Sequence, residues 1–323
     1  MREITYRDAL NEAIAEEMER DNDVYLMGED VGVFGGTFGV SRGLIEQFGP
    51  KRIRTTPVSE AIIAGAAVGS AITGMRPIAE IMFIDFATIA SDQIINQAAK
   101  ICYMFGGKTA VPVVFRTQGG GGRSWAAQHS QSLEAWYTHI PGLIVIMPST
   151  PYDAKGLLKT AIRDNNPVMF IEHKQLYNTK GQVPEEEYTV PIGKAKIVRE
   201  GKDITLIATS FMVIKCMEAA EELKNSDIDV EIVDPRTLVP LDREIIKTSV
   251  KKTGSALVVQ EACRRMGFGS EIVRALIEDC FDYLDSPPQV LGAEEVPIPF
   301  SHILENFTLP QTEDIIKKVK EIL

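Results

Sequence analysis

Short apolar bursts alternate with helix-patterned runs along most of this chain, and that alternation limits what it can fold into. The bursts are "VYLMG" (24–28), "PIAEIMF" (77–83), "VPVVFR" (111–116), "LIVIMP" (143–148) and "PVMFIEH" (167–173). The runs 59–73, 91–104 and 151–163 lie between them. Strands alternating with helices predict an α/β fold with a parallel sheet covered by helices. Several bursts are apolar at consecutive positions, as in strands buried on both faces.

From 178 to 202 the sequence becomes polar and dotted with Gly and Pro, without sustained helical periodicity. The alternation then resumes: "DITLIATS", a helix over 211–225, "IDVEIVDP", a helix over 242–252, "ALVVQE", a helix over 270–281 and a last helix over 311–322. At 323 residues the chain has room for two domains. The expected division is 1–185 and a smaller α/β domain over 186–323. At the start, Thr5 and Asp8 predict a helix cap, with Leu10, Ile14 and Met18 forming the apolar stripe of an amphipathic surface helix.

Apolar residues make up 45% and charged residues 24%, which excludes disorder. The formal net charge of −11 leaves no basic stripe for nucleic acid or an anionic membrane. The longest apolar run, 61–72, is too short to span a bilayer, and the acid-rich first twenty residues lack the apolar core of a signal peptide. Cys102, Cys216, Cys263 and Cys280 lie far apart, and the four histidines show no metal-ligand spacing. This pattern suits a reducing cytoplasm and no structural zinc.

Several short motifs fail on context. "CYMFGGKTA" places Gly107, Lys108 and Thr109 in phosphate-loop order, but Cys102 replaces the first glycine, and a helix precedes where a strand is required. "GVFGGTFG" (32–39) and "QGGGGRS" (118–124) do not match G-x-G-x-x-G in register and read as flexible loops at the rim of a site. Neither G-x-S-x-G nor H-E-x-x-H occurs.

"RTTPVSEAIIAGAAVGSAITG" (54–74) places one carboxylate, Glu60, at the mouth of an uncharged run. Pro57 precedes a helix start, Ser59 is a suitable cap, and the helix dipole favours an acid in the first turn. Two readings stand. Glu60 is a surface helix-start residue, or it opens a buried helix whose small residues Ala61, Gly65 and Gly69 admit another backbone closely. In the second case the carboxylate needs a partner or a proton.

"TTPVSEA", "GMRPIAEIMFIDF", "DQIINQAAK", "AAQHSQS", "HIPGLIVIMPSTPYDAKGLL" and "AIRDNNPVMFIEHK" stand in order along the chain. Together they resemble the β subunit of the thiamine-diphosphate-dependent first component of 2-oxo acid dehydrogenase complexes, of pyruvate or acetoin dehydrogenase type. The resemblance implies a transketolase-like pyrimidine-binding domain followed by a transketolase C-terminal-type domain. It places Glu60 against the ring nitrogen of the cofactor's aminopyrimidine, where sharing a proton favours the imino tautomer that generates the nucleophilic ylide. Phe86 then stacks on the pyrimidine with Val58 and Met82 nearby, although by itself Phe86 reads more readily as a core aromatic. His129 of "AAQHSQS" matches an active-site histidine near the substrate and the lipoyl group, although a loop histidine is as often structural.

The resemblance further implies a structural potassium ion on the backbone carbonyls of Val113, Ala161, Ile162, Asp164 and Asn166. The family clamps the diphosphate through Mg²⁺ with a G-D-G motif that this sequence lacks. An α subunit is therefore expected to supply the metal clamp, as two α and two β chains. Docking to the peripheral binding domain of an acyltransferase core is expected through acids such as Asp282, Asp285, Glu294 and Glu295. The expected substrate is pyruvate or another 2-oxo acid, with acetoin as the alternative. A non-catalytic assembly subunit is the alternative of another class.

Overall fold

Strand β1 (Arg2–Thr5) leads into helix α1 (Tyr6–Arg20), and the Thr5 hydroxyl accepts the Asp8 amide at 3.1 Å, the cap that the spacing predicts. Leu10, Ile14 and Met18 are fully buried. The computed structural model describes residues 1–323, which divide into two compact units: Met1–Gly119 with Trp136–Ile192, and Gly120–Ala135 with Gly193–Leu323. The stretch 120–135 thus departs from the linear order of the chain, which no feature of its composition announces.

The first unit continues through β2 (Val24–Gly28), α2 (Leu44–Phe48), β3 (Ile53–Thr55), α3 (Glu60–Ala71), β4 (Arg76–Ile81) and the short α4 (Ile84–Ala87). A π-helical segment, Asp92–Ala98, runs into α5 (Ala99–Met104), where the spacing predicts one continuous helix over 91–104. Then come β5 (Val114–Gly119), α6 (Glu134–Thr138), whose first two residues belong to the second unit, β6 (Ile144–Ile146), α7 (Pro151–Arg163), β7 (Val168–His173) and β8 (Lys180–Val183). Six strands run parallel in the order β6-β7-β5-β4-β2-β3, the architecture expected from the bursts. Strand β5 starts three residues after its burst. Pro112 has no N–H to give to a ladder, so pairing starts beyond it.

The polar stretch 178–202 hides two strands. β8 pairs antiparallel with β1, and β9 (Lys196–Arg199) forms the antiparallel edge of the second sheet. Both are short and mix polar with apolar residues, so their pattern is weak.

The second unit adds β10 (Ile204–Ala208), α8 (Phe211–Leu223), β11 (Val230–Asp234), β12 (Thr237–Val239), α9 (Arg243–Thr253), β13 (Ala256–Cys263), α10 (Gly269–Cys280), β14 (Gln289–Ala293), α11 (His302–Thr308) and α12 (Thr312–Ile322). Its five-stranded sheet has the order β14-β13-β10-β11-β9. Helices α8 and α12 close one face over Leu206, Ile232 and Leu257, with Ile315 and Val319 fully buried in that core.

Candidate functional site

In open parallel sheets, ligand-binding residues gather beyond the carboxyl ends of the strands. Three adjacent strands of the first unit, β4, β2 and β3, each deliver such residues. Glu29 follows β2 directly, Glu60 opens α3 five residues after β3, and Met82 and Phe86 follow β4. The structure therefore brings Glu60, Met82 and Phe86 to one end of one sheet, as the sequence reading groups them.

Glu60 is 7% exposed, which decides between its two readings in favour of the buried one. The cap reading of Ser59 is corrected: its side chain makes no capping bond, because its backbone adopts φ −164°, ψ 83° instead of the usual cap geometry. The buried face of α3 is Ile63, Ala64, Ala67, Val68 and Ala71, packed beside β4. The small-residue stripe lies on the other side: Gly69 has open space beside it, and Ile62 is 66% exposed. Gly65 in the stripe faces Gln93, whose Cγ a Cβ there would meet at 3.4 Å, so the segment Asp92–Ala98 packs along this part of α3.

Glu29 was not singled out by sequence reasoning. Burial pushes its carboxyl up, and the charges of Glu60 and Asp30 push it further. Its Oε1 is buried without a hydrogen-bond partner. Glu60 is buried and Glu29 half-buried, and their charges interact, so Glu29 holds a proton more readily than a free carboxyl. The available signal was position, since "MGED" puts Glu29 one residue past the end of a buried strand.

Phe86 and Met82 are half-buried, whereas Val58 is 79% exposed. Phe86 stands 6.4 Å from Phe83 between ring centroids, Phe83 meets Phe38 edge-on at 5.8 Å, and Phe38 stacks on Tyr177 at 4.7 Å. The Thr37 hydroxyl bonds to the Met82 sulfur. The ring contacts join Phe86, Phe83, Phe38 and Tyr177 into one aromatic row.

Beneath that end of the sheet, Arg116 on β5 is wholly buried between Glu172 of β7 and Glu80 of β4, at 2.7 and 2.6 Å. The Tyr177 hydroxyl donates to Glu172 at 2.6 Å. Burial opposes the guanidinium charge, but Glu172 and Glu80 hold it on more firmly than in water.

His129 lies in the second unit, on the segment Gly120–Ala135, and is half-buried. The segment is held, not loose. Gly121 N–H donates to Glu261 at 2.8 Å, and the Gly122 and Ser124 amides donate to Glu305, each at 2.8 Å. This corrects the flexible-loop reading of "QGGGGRS": its amides are taken by two carboxylates. "GVFGGTFG" is likewise folded on itself through Gly35 to Gly32, Gly36 to Asp30 and Gly39 to Gly36 backbone bonds. Also in the second unit, Glu134 is fully buried with its Oε2 unpartnered; burial, helped by the charge of Glu261, pushes its carboxyl up to about 7.

Among the carbonyls assigned to potassium, those of Ile162 and Asp164 each accept from Arg76 Nη1 at 2.9 Å. The Ala161 carbonyl accepts from Asp164 N–H at 3.3 Å and the Val113 carbonyl from Val168 N–H at 2.9 Å. The Asn166 amide group donates to the Asp164 carboxylate at 2.9 Å. No group of three or more His, Cys, Asp or Glu side chains forms a metal-binding cluster, and no helix is long and apolar enough to cross a membrane.

Residues 2–180 match the transketolase pyrimidine-binding domain, and residues 193–315 match the transketolase C-terminal domain. The acetoin:2,6-dichlorophenolindophenol oxidoreductase subunit beta of Bacillus subtilis (strain 168) is 47% identical over 334 aligned positions, covering 100% of this chain and 98% of that protein. The pyruvate dehydrogenase E1 component subunit beta of Rickettsia felis is 46% identical over 320 positions, covering 99% and 98%. The chain belongs to the β subunits of pyruvate and acetoin dehydrogenase first components. A solved split-gene transketolase, an inactive β4 tetramer, superposes with a TM-score of 0.80 at 24% identity, covering 99% of this β subunit and 98% of that chain, which bears on fold alone. The transketolase-like two-domain α/β fold expected for such a β subunit is the one found.

Proposed function

We propose that this β subunit works with an α subunit in a thiamine-diphosphate-dependent 2-oxo acid dehydrogenase of pyruvate type, decarboxylating the 2-oxo acid and passing the acyl group to a lipoyl carrier. The observation that carries the reading is Glu60, a carboxylate 7% exposed at the carboxyl end of a parallel sheet, with its charge acting on Glu29 and Phe86 following the adjacent strand β4 at the same end. Those residues fit a protonatable aromatic ring: an acid for its nitrogen, and the faces of Phe86 and Met82 for its plane. When bound, thiamine diphosphate supplies the nucleophilic carbon and electron sink that a 2-oxo acid needs to lose carbon dioxide. Glu60 holds a proton at the pyrimidine nitrogen, and His129 moves a proton near the substrate and the lipoyl group. Val58, open to the outside of this chain, completes the apolar contact.

The chain has no G-D-G sequence, so the reading assigns diphosphate and Mg²⁺ to an α subunit in an assembly of two α and two β chains. The open side of α3 at Ile62 and Gly69 suits contact with such a partner. Potassium would share the Ile162 and Asp164 carbonyls with Arg76, each oxygen having a second lone pair. Asp282, Asp285, Glu294 and Glu295 are exposed and suit docking to a basic domain of an acyltransferase core, with Glu295 paired to Arg265 at 3.3 Å.

Acetoin is the second reading, because the B. subtilis relative at 47% identity is an acetoin oxidoreductase subunit. The test is turnover of the assembled α and β chains on pyruvate, branched 2-oxo acids and acetoin. Pyruvate used best supports the main reading, and acetoin used best replaces it with the second. No turnover on any of them, with cofactor bound, would leave an assembly subunit.

A further inference from the structure

Glu305 sits in the middle of α11, is 0% exposed and spends both carboxylate oxygens on backbone more than 180 residues away. Its Oε1 accepts Gly122 N–H at 2.8 Å and its Oε2 accepts Ser124 N–H at 2.8 Å, with the Ser124 hydroxyl at 3.5 Å. Glu261, on β13, takes the preceding amide, Gly121 N–H, at 2.8 Å, and its same oxygen accepts the Ser132 hydroxyl at 3.2 Å. Both ends of the stretch 121–132 are therefore tied to buried carboxylates, and His129 lies between the ties.

The backbone there explains why such ties are needed. Gly120, Gly122, Ser124 and Ala126 all have positive φ, at 85°, 83°, 56° and 60°. Ser and Ala rarely adopt that conformation, and it persists only where the surroundings over-determine it. Alternating conformations of this kind turn successive amides inward to make an anion-binding concavity. Here the anions are the chain's own side chains. A Cβ on Gly121 would lie 2.7 Å from Leu309 Cδ1 and 3.3 Å from Glu305 Oε1, so glycine lets this backbone lie close to both without displacing them.

We infer that Glu305 and Glu261 are positioning residues that set the backbone of the His129 loop by filling an amide nest with carboxylate oxygens. The inference rests on the role proposed above for His129. Glu305 acts through the histidine: glutamine in its place can accept from one amide only, leaving the other unpaired and the loop free to leave its strained path. A displaced catalytic group loses rate steeply, with about 10²-fold for a shift of about 1 Å.

The test uses the assembled enzyme carrying Glu305→Gln, Glu261→Ala, His129→Ala and the double change Glu305→Gln with His129→Ala. Hydrogen exchange in peptides covering 120–128 is expected to quicken by about tenfold or more in Glu305→Gln, with trypsin newly cutting after Arg123, while protection elsewhere stays as in the parent. The value of kcat is expected to fall by about 10²-fold with KM for the 2-oxo acid nearly unchanged. The double variant should be no slower than His129→Ala alone, since both changes disable one group. Unchanged exchange, or losses that multiply in the double variant, would overturn the inference. Should Glu305→Gln fail to fold, Glu261→Ala removes the oxygen that accepts from Gly121 and Ser132 and is read the same way. Full turnover by His129→Ala would remove the histidine's role and the inference with it, a failure visible in that variant regardless of exchange in the others.

Discussion

Arg116 and Glu172 meet in a two-pronged ion pair, Nε to Oε1 at 2.7 Å and Nη2 to Oε2 at 2.8 Å, with neither side chain reaching solvent. Since Glu80 takes the remaining arm of the guanidinium, one cation balances two carboxylates across three adjacent strands. Removing the cation strands two buried charges. Arg116→Met is expected to lower stability by about 3–5 kcal/mol in urea unfolding, with part of the loss recovered when Glu172→Leu is added. A loss below about 1 kcal/mol would show that water reaches this cluster.

Glu60→Gln keeps the shape of the side chain and removes its acid function. In the assembled enzyme kcat is expected to fall by about 10²–10⁴-fold, as for the loss of a positioned proton-transfer group. The circular dichroism spectrum should be unchanged. Near-normal turnover would contradict the role given to this acid.

Glu134 gives stability a pH dependence whose sign follows from its environment. Its carboxyl titrates near 7 when folded and near 4.5 in a free chain, so the folded state holds a proton that the unfolded state has released between those values. Stability from this group is therefore greatest below about 4.5 and is lost as pH rises through about 7. Glu134→Gln cannot ionise and should flatten the profile over that window. Equal slopes for parent and variant in urea titrations at pH 5, 6 and 7 would rule the assignment out.

Potassium on the Val113, Ala161, Ile162, Asp164 and Asn166 carbonyls would bind the folded state alone. At a concentration 100 times its Kd it would stabilise by about 2.7 kcal/mol. The melting temperature in K⁺ should exceed that in Na⁺ at equal ionic strength, and identical values would remove the ion.

The stripe Leu10, Ile14 and Met18, the Thr5 cap and the strand Val24–Gly28 were readable directly, because each depends on residues within a few positions of one another. Glu60 stood out for the same reason, as a single charge in an uncharged run. The Ser59 cap and the flexible glycine loop were misread because each turns on something local pattern omits: a backbone angle at Ser59, and distant acceptors for the amides of Gly121, Gly122 and Ser124.

By itself the sequence determined the alternation of strands and helices and the family, and it singled out Glu60, the acid given the proposed chemistry. Hydrophobic period and motif order are properties of neighbouring residues. Only the tertiary structure decided that Glu29 stands by Glu60, that Arg116 lies between Glu80 and Glu172, and that 120–135 joins the second unit. These depend on strand order and on side chains far apart in the chain, such as Gly122 and Glu305. Burial, which gives those charges their strength, exists only once the sheet has assembled around them.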